Sequence, residues 1–389
     1  MSTHDVAVIG LGIMGAATAW ELSARGARVL ALDANGPTHV GGSSHGATRI
    51  FRKAYWEGAD YVPLLNRADA GWHALQNEAA EYLIVGTGGL FIGPRGTDVV
   101  SGSVATAVEY SIPHERLESS EIARRFPRFR MTDEVDALYE PGAYVVLADK
   151  ARLEMVNAAV RNGAKVVYGE PVVRVGRAAG SFEVEAASGE IYCVKKVVIA
   201  TGPWNKLVSS IDSFVIPCRV PVFWFRDRDS SLTAMPGRLT APAFLVERPD
   251  GRILYGAPEI VDGAPGIKLG FHNHQQFPAN PNRPAPEFSK EVTSEIATAA
   301  AECFVGLDAK PAEKRWCFYT MSPDTRFVLG ECSDEPGLFY ISACSGHGFK
   351  FAPGVASVIA SMALEESEDI DVSSFSARRF DGGALTPNR

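Results

Sequence analysis

Three glycines carry the first chemistry legible in this chain. Gly10, Gly12 and Gly15 form a G-x-G-x-x-G pattern, and Asp33 follows at the distance of one helix and one strand. Gly10 permits a tight turn, Gly12 lets a pyrophosphate approach the backbone, and Gly15 lets helix and strand pack closely. The helix that follows offers phosphates its free N–H groups and its positive dipole end. Asp33 is placed to accept hydrogen bonds from adenosine ribose hydroxyls. The pattern alone is common, and its context makes it a dinucleotide fingerprint. Residues 6–9 (VAVI) suit a buried parallel strand, residues 16–26 a helix, and residues 27–32 a second strand ending at Asp33.

Other groups with chemical potential are scattered. Residues 197–202 (VVIATG) read as an apolar strand whose small end, at Gly202, passes close to a bound dinucleotide. This second strand points to FAD rather than a nicotinamide cofactor. The stretch 41–52 is polar and glycine-rich, with Arg49 and Arg52 three apart. They share a face if a helix has begun there, and are surface groups if it is a solvated loop. Lys268 interrupts an apolar strand: it faces water from an edge, or it faces a cavity. Cys317 reads as a buried small hydrophobe or as a reactive thiol. Residues 344–354 are glycine-rich and lead into a helix, a second place for a polar cofactor edge.

These groups need elements to hold them. Helices are expected over 61–81, 151–163, 289–304 and 355–364, and mostly over 101–130. Strands are expected at 86–93, at 164–168, in a hairpin at 172–175 and 182–186, and repeatedly between 216 and 274. Pro249-Asp250-Gly251 marks a hairpin turn. The loop 277–286 carries four prolines. An antiparallel sheet after a βαβ unit suggests a separate substrate domain. The expected class is therefore α/β, with a Rossmann-like FAD-binding domain and a separate antiparallel-sheet domain.

The chain has 389 residues and a net charge of −8 without long like-charged runs. That allows two domains and disfavours nucleic-acid or anionic-membrane partners. Its six cysteines make no C-x-x-C pair and no zinc spacing, so no metal is expected. A first strand by Val6 leaves no room for a signal peptide, and no run is long enough to span a membrane. The cytoplasm is the expected location.

Taken together, the motifs resemble the monomeric sarcosine oxidase family of flavin amine oxidases, which includes N-methyltryptophan and pipecolate oxidases. The likeness is collinear and runs nearly end to end. It covers the glycine fingerprint, Ser44-His45-Gly46-x-Thr48-Arg49-Ile50-x-Arg52, Tyr55-x-Glu57-Gly58, Tyr61-Val62-Pro63-Leu64 and Ala200-Thr201-Gly202-x-Trp204-Asn205. It continues through Tyr255-Gly256, Lys268-Leu269-Gly270-x-His272, Cys317-x-Tyr319-Thr320 and residues 345–351 (SGHGFKF). The spacing between Tyr255 and Lys268 is slightly longer than in the sarcosine oxidases, and Phe244 and Leu245 fall on a pocket strand that varies among relatives.

The resemblance implies a fold like that of glutathione reductase and D-amino-acid oxidase, a Rossmann-like FAD-binding domain (1–85, 148–217 and 318–389) with an inserted antiparallel-sheet substrate domain (86–147 and 218–317), and it implies roles. Cys317 is the expected thioether link to the flavin 8α-methyl. Arg52 and Lys350 are the expected clamp for a substrate carboxylate. His272, Tyr255 and Tyr319 belong to the substrate cavity, Lys268 is the oxygen-activating lysine, and Arg49 lies near the same flavin edge. Ser43, His45, Thr48, Glu57, Gly346, His347 and Gly348 are expected around the cofactor, with Lys350 near it as well. The implied activity is oxidation of a secondary or N-methyl amino acid by hydride transfer to FAD, with O2 reduced to H2O2 by a monomeric enzyme. An FAD-dependent dehydrogenase serving another acceptor is the alternative, and Lys268 argues against it. A noncatalytic flavin-binding protein is a third reading, and the charged pocket residues argue against that. A nicotinamide enzyme would leave Cys317 and Lys350 without a role.

Overall fold

The computed structural model describes residues 4–130, 134–178, 180–204, 215–226, 233–234, 242–260 and 266–380. Asn205 of the 200–205 motif, and the 261–265 part of the longer spacing before Lys268, lie outside them.

The glycine fingerprint opens an eight-stranded sheet. Its parallel core runs Lys165–Tyr168, Val29–Asp33, His4–Ile9, Ile191–Ile199 and Leu338–Ser342. An antiparallel hairpin, Val172–Ala178 with Ser181–Ala186, extends one side as expected. Apolar, largely β-branched residues such as Val6, Val8, Val197 and Val198 fill these strands because both faces are covered. Helix Ile13–Ala24 is buried nearly all round. Its alanines at 16, 17 and 19 let helices Ala148–Arg161 and Ala352–Leu364 approach it.

The second large sheet has nine strands. It runs from Glu115–Glu118 and Val135–Glu140 through Gly89–Pro94, Ala243–Glu247, Ile253–Ala257 and Ile267–Phe271 to Ile216–Phe225 and Glu313–Met321. Its pairs are antiparallel except for Ala243–Glu247 beside Gly89–Pro94. The Pro249-Asp250-Gly251 turn joins two neighbours, with Gly251 at φ 78°. Strand alternation sets the two faces. Ile267, Leu269 and Phe271 enter an apolar core with Phe223, Leu254 and helix Lys290–Cys303, so Lys268 is driven to the opposite face. Its strand is flanked on both sides, by Ile216–Phe225 and by Ile253–Ala257. Lys268 is therefore not an edge residue facing water.

Three local expectations change. Residues 48–51 form a strand, Thr48–Phe51, paired with Tyr144–Leu147, so Arg49 and Arg52 do not share a helical turn. The stretch 86–93 splits at Gly88, φ 67°, into Ile84–Gly86 and Gly89–Pro94, which join different sheets. Residues 101–130 hold the strand Glu115–Glu118 between helices Asp98–Glu109 and Ser119–Arg125. Pro113, lacking an N–H, stands where the first of these helices has ended.

Candidate active site

One cavity of about 1150 Å³ runs between the sheets, from Gly10 and Asp33 to Arg52, His272 and Lys350. That is somewhat more than the about 300–1,000 Å³ of most small-ligand pockets.

At its first end the chain is built around backbone approach. Gly10 has φ 92°, and a Cβ there would stand 2.6 Å from the Ala200 carbonyl oxygen. Gly15 lies behind the wall, where a Cβ would overlap the Gly10 carbonyl. Gly12 and Gly202 line the cavity. The Leu11 N–H donates to Asp33 Oδ2 (2.6 Å), so Asp33 also holds the glycine turn. Ser44 Oγ accepts from the Ile13 N–H at the helix start (2.9 Å).

Further along, Ser43, Thr48, Thr201, Thr320 and Ser342 line the wall, and the hydroxyls of Thr48, Thr201, Thr320 and Ser342 are buried without a hydrogen-bond partner in the chain. A buried hydroxyl left so costs about 1–3 kcal/mol, which a polar ligand would offset. Gly346 and Gly348 line the same stretch. A Cβ on Gly348 would overlap the Ala343 carbonyl, and one on Gly346 would stand 2.8 Å from the Tyr319 ring.

Cys317 marks a cationic region. Its Sγ lies 3.8 Å from Arg49 Nη2. Burial would raise the thiol, but His45, Arg49 and Lys268 outweigh burial and bring it to about 7. His45 is buried behind the wall, beside the Cys317 thiol. Arg49 Nη2 donates to the carbonyls of Ser43 and His45, both at 2.8 Å. Lys268 Nζ donates to the carbonyls of Gly46 (2.9 Å) and Thr48 (2.7 Å). Burial, and then Arg49, push its pKa well below the ordinary lysine value.

The far end holds the second charge cluster. Arg52 Nη2 is 2.5 Å from Glu57 Oε2, and Lys350 Nζ donates to the His347 carbonyl (2.7 Å). Glu57, expected around the cofactor, thus stands against Arg52. Burial would raise its carboxyl, and Arg52 and Lys350 hold it down at about 2. Burial and Arg52 lower Lys350 to about 7. His272 Nε2 is 3.9 Å from Glu57, yet burial holds this imidazole below its ordinary value. Tyr255 and Tyr319 interact through their hydroxyls, and burial raises both.

The cavity also uses residues the sequence motifs had not marked. Arg152 lines it, 8% exposed, with Nη1 on the Leu11 carbonyl (3.2 Å). Its helical spacing with Ala148, Ala151, Met155 and Ala159 was the available signal, because that stripe is the buried face. Leu245 lines the cavity, while Phe244 turns into the apolar core. Among the described residues no cluster of side chains suits a metal ion.

The profile of the family described as "FAD dependent oxidoreductase" (DAO) matches residues 5–362. The chain belongs to this FAD-dependent oxidoreductase family. Its relatives in the family include a monomeric sarcosine oxidase from Bacillus sp., 33% identical over 97% of both chains. An N-methyl-L-tryptophan oxidase from Yersinia pestis is 32% identical over 97% of this chain and 99% of its own. Solved structures share the fold. The open form of NikD, described as an unusual amino acid oxidase, has TM-score 0.82 at 23% identity, covering 97% of this chain and 98% of its own. A glycine oxidase from Geobacillus kaustophilus has TM-score 0.79 at 18% identity, covering 98% and 100%. The cavity fits the family's cofactor on its own donors: a glycine cradle that Cβ atoms would fill, a helix N-terminus, and buried hydroxyls lacking partners.

Proposed function

We propose that this family member is an oxidase of secondary or N-methyl amino acids that reduces O2 to H2O2. The observation that carries the reading is that one cavity is lined by the dinucleotide cradle, by two buried cations, Arg52 and Lys350, and by Arg49, Lys268 and Cys317. FAD, when bound, supplies the two-electron redox chemistry. Arg52 offers a planar fork and Lys350 a point charge to the substrate carboxylate. Fixing the carboxylate fixes the amine and its adjacent carbon, so orientation is the main contribution of this end. His272, kept from protonating by burial, adds no charge that would repel an amine. Lys268 and Arg49 place positive charge where reduction of O2 builds negative charge. Cys317, with a thiol brought to about 7, is the residue for a thioether to the flavin 8α position.

An FAD-binding domain of residues 1–85, 148–217 and 318–389 and a substrate domain of residues 86–147 and 218–317 belong to the same reading. In support, the eight-stranded sheet draws only on the first set. Strands Ile216–Phe225 and Glu313–Met321 run across the boundaries and carry Cys317 and Tyr319 to the junction. A monomeric state and a cytoplasmic location belong to the same reading. Among the described residues no helix is long and apolar enough to cross a membrane.

The test is a panel of N-methyl and cyclic secondary amino acids with their methyl esters, read by H2O2 release in air and flavin bleaching without it. Turnover of at least one acid, with kcat/KM for its ester lower by about 100-fold or more, is the expected result. Absence of bleaching with every acid would overturn the reading. Bleaching without reoxidation in air would favour a dehydrogenase.

A further inference from the structure

Tyr55 opens the Tyr55-x-Glu57-Gly58 motif, and the site as described gives it no task. Its side chain is completely buried. Arg52 Cζ lies 4.6 Å, and Lys350 Nζ 4.8 Å, from the centre of its ring. Both cations of the carboxylate clamp therefore rest on one aromatic group. The Tyr55 hydroxyl is 2.5 Å from His347 Nδ1, and His347 Nε2 is 3.1 Å from the Thr325 carbonyl. A carbonyl only accepts, so Nε2 carries the imidazole proton and Nδ1 accepts from Tyr55. Burial holds His347 neutral, with a pKa of about 3. Tyr61 and Phe351 meet the Tyr55 ring at 61° and 81°. The backbone is pinned too: Thr106 donates to the Tyr55 carbonyl (2.9 Å), and Glu140 accepts from the N–H groups of Lys53 and Ala54 (2.9 and 3.0 Å).

We propose that Tyr55 is a positioning residue for the substrate carboxylate: its ring, fixed in tilt by His347, holds Arg52 and Lys350 together as a pair. Two buried cations repel each other, and the negative face of an aromatic ring offsets part of that repulsion without occupying their hydrogen-bond donors. Glu57, by contrast, occupies Arg52 directly. Phe91 lies under Arg52 alone (5.4 Å) and Phe351 under Lys350 alone (5.0 Å), so Tyr55 is the ring the two cations share, and a bound carboxylate does not have to displace it. This inference rests on the reading of Arg52 and Lys350 as the carboxylate clamp.

The experiment replaces Tyr55 by phenylalanine carrying successively more ring fluorines, which preserves shape while draining the ring's negative face. In the flavin-loaded enzyme, KM for an N-methyl amino acid should rise stepwise, by about 2- to 30-fold across the series, with kcat nearly constant. A role in packing alone would leave KM flat, and a flat series with normal flavin content would overturn the proposal. Arg52→Leu in the same assay separates the two layers. Raised KM in Arg52→Leu with a flat fluorine series refutes only the Tyr55 role, whereas unchanged KM in Arg52→Leu refutes the clamp itself. Should Tyr55→Phe lose flavin, the same series built on fluorinated tyrosines keeps the hydroxyl to His347 and has the same two outcomes.

Discussion

Arg52 and Glu57 form a buried ion pair, Nη2 to Oε2 at 2.5 Å, while Arg52 Nη1 donates to the Ala54 carbonyl at 2.9 Å. The guanidinium is thus engaged on both terminal nitrogens, and an incoming carboxylate must compete with Glu57. Removing one partner of a buried pair strands the other, at about 3–5 kcal/mol. Glu57→Ala should lower the melting temperature, and acetate should restore more of it than it adds to the wild type. Equal acetate shifts in the two proteins would refute competition at Arg52.

The second prediction concerns pH. Burial and Arg52 bring Lys350 from 10.5 to about 7. Below that value the ammonium is present and assists carboxylate binding; above it the charge is lost. The Kd for acetate, read from the flavin spectrum, should therefore rise by up to about tenfold per pH unit above 7, and Lys350→Met should flatten that slope. For stability the sign is opposite. Between about 7 and 10.5 the unfolded chain binds more protons at this site, so its contribution to stability rises with pH across that window.

Lys268 is held by the Gly46 and Thr48 carbonyls on the wall of the same cavity as Cys317. If it stabilises charge on reduced oxygen, Lys268→Met should slow air reoxidation of reduced enzyme by about 10²–10³-fold while leaving anaerobic reduction by substrate much less affected. Stopped-flow absorbance measures both phases, and reoxidation at the wild-type rate would end this assignment.

Covalent attachment is read directly. Acid precipitation of the wild type should leave yellow colour in the pellet, and Cys317→Ser should release it to the supernatant. Wild-type colour appearing in the supernatant would remove the thioether from the account.

Close packing behind the glycine turn makes a stability prediction. A Cβ at Gly15 would overlap the Gly10 carbonyl, whereas one at Gly142 would meet nothing within 4 Å. Gly15→Ala should cost about 1–3 kcal/mol and reduce flavin content, and Gly142→Ala should do neither. Urea unfolding and the ratio of flavin to protein absorbance check both variants.

Where local pattern fixes an element, the sequence alone was enough. The fingerprint from Gly10 to Asp33 is one strand, turn, helix and strand, and each part has its own periodicity or a glycine no other residue replaces. The turn at residues 249–251 was legible for the same reason, as was the strand of residues 197–199. Local pattern misled where it was short: Arg49 and Arg52 were three apart in a polar stretch, and pairing with Tyr144–Leu147 decided that the stretch is a strand. It was mute where partners are distant. Lys268 and Gly46 are 222 residues apart, and Tyr55 and His347 are 292 apart. Whether Lys268 faced water or a cavity depended on its neighbours in the nine-stranded sheet, and the segment that joins Arg52 to Glu57 is held by the distant Glu140, which accepts from the Lys53 and Ala54 N–H groups. Sequence periodicity determines which face of an element is apolar. Which faces then meet, and so which charges share a cavity, is decided by sheet pairing and packing across the whole chain.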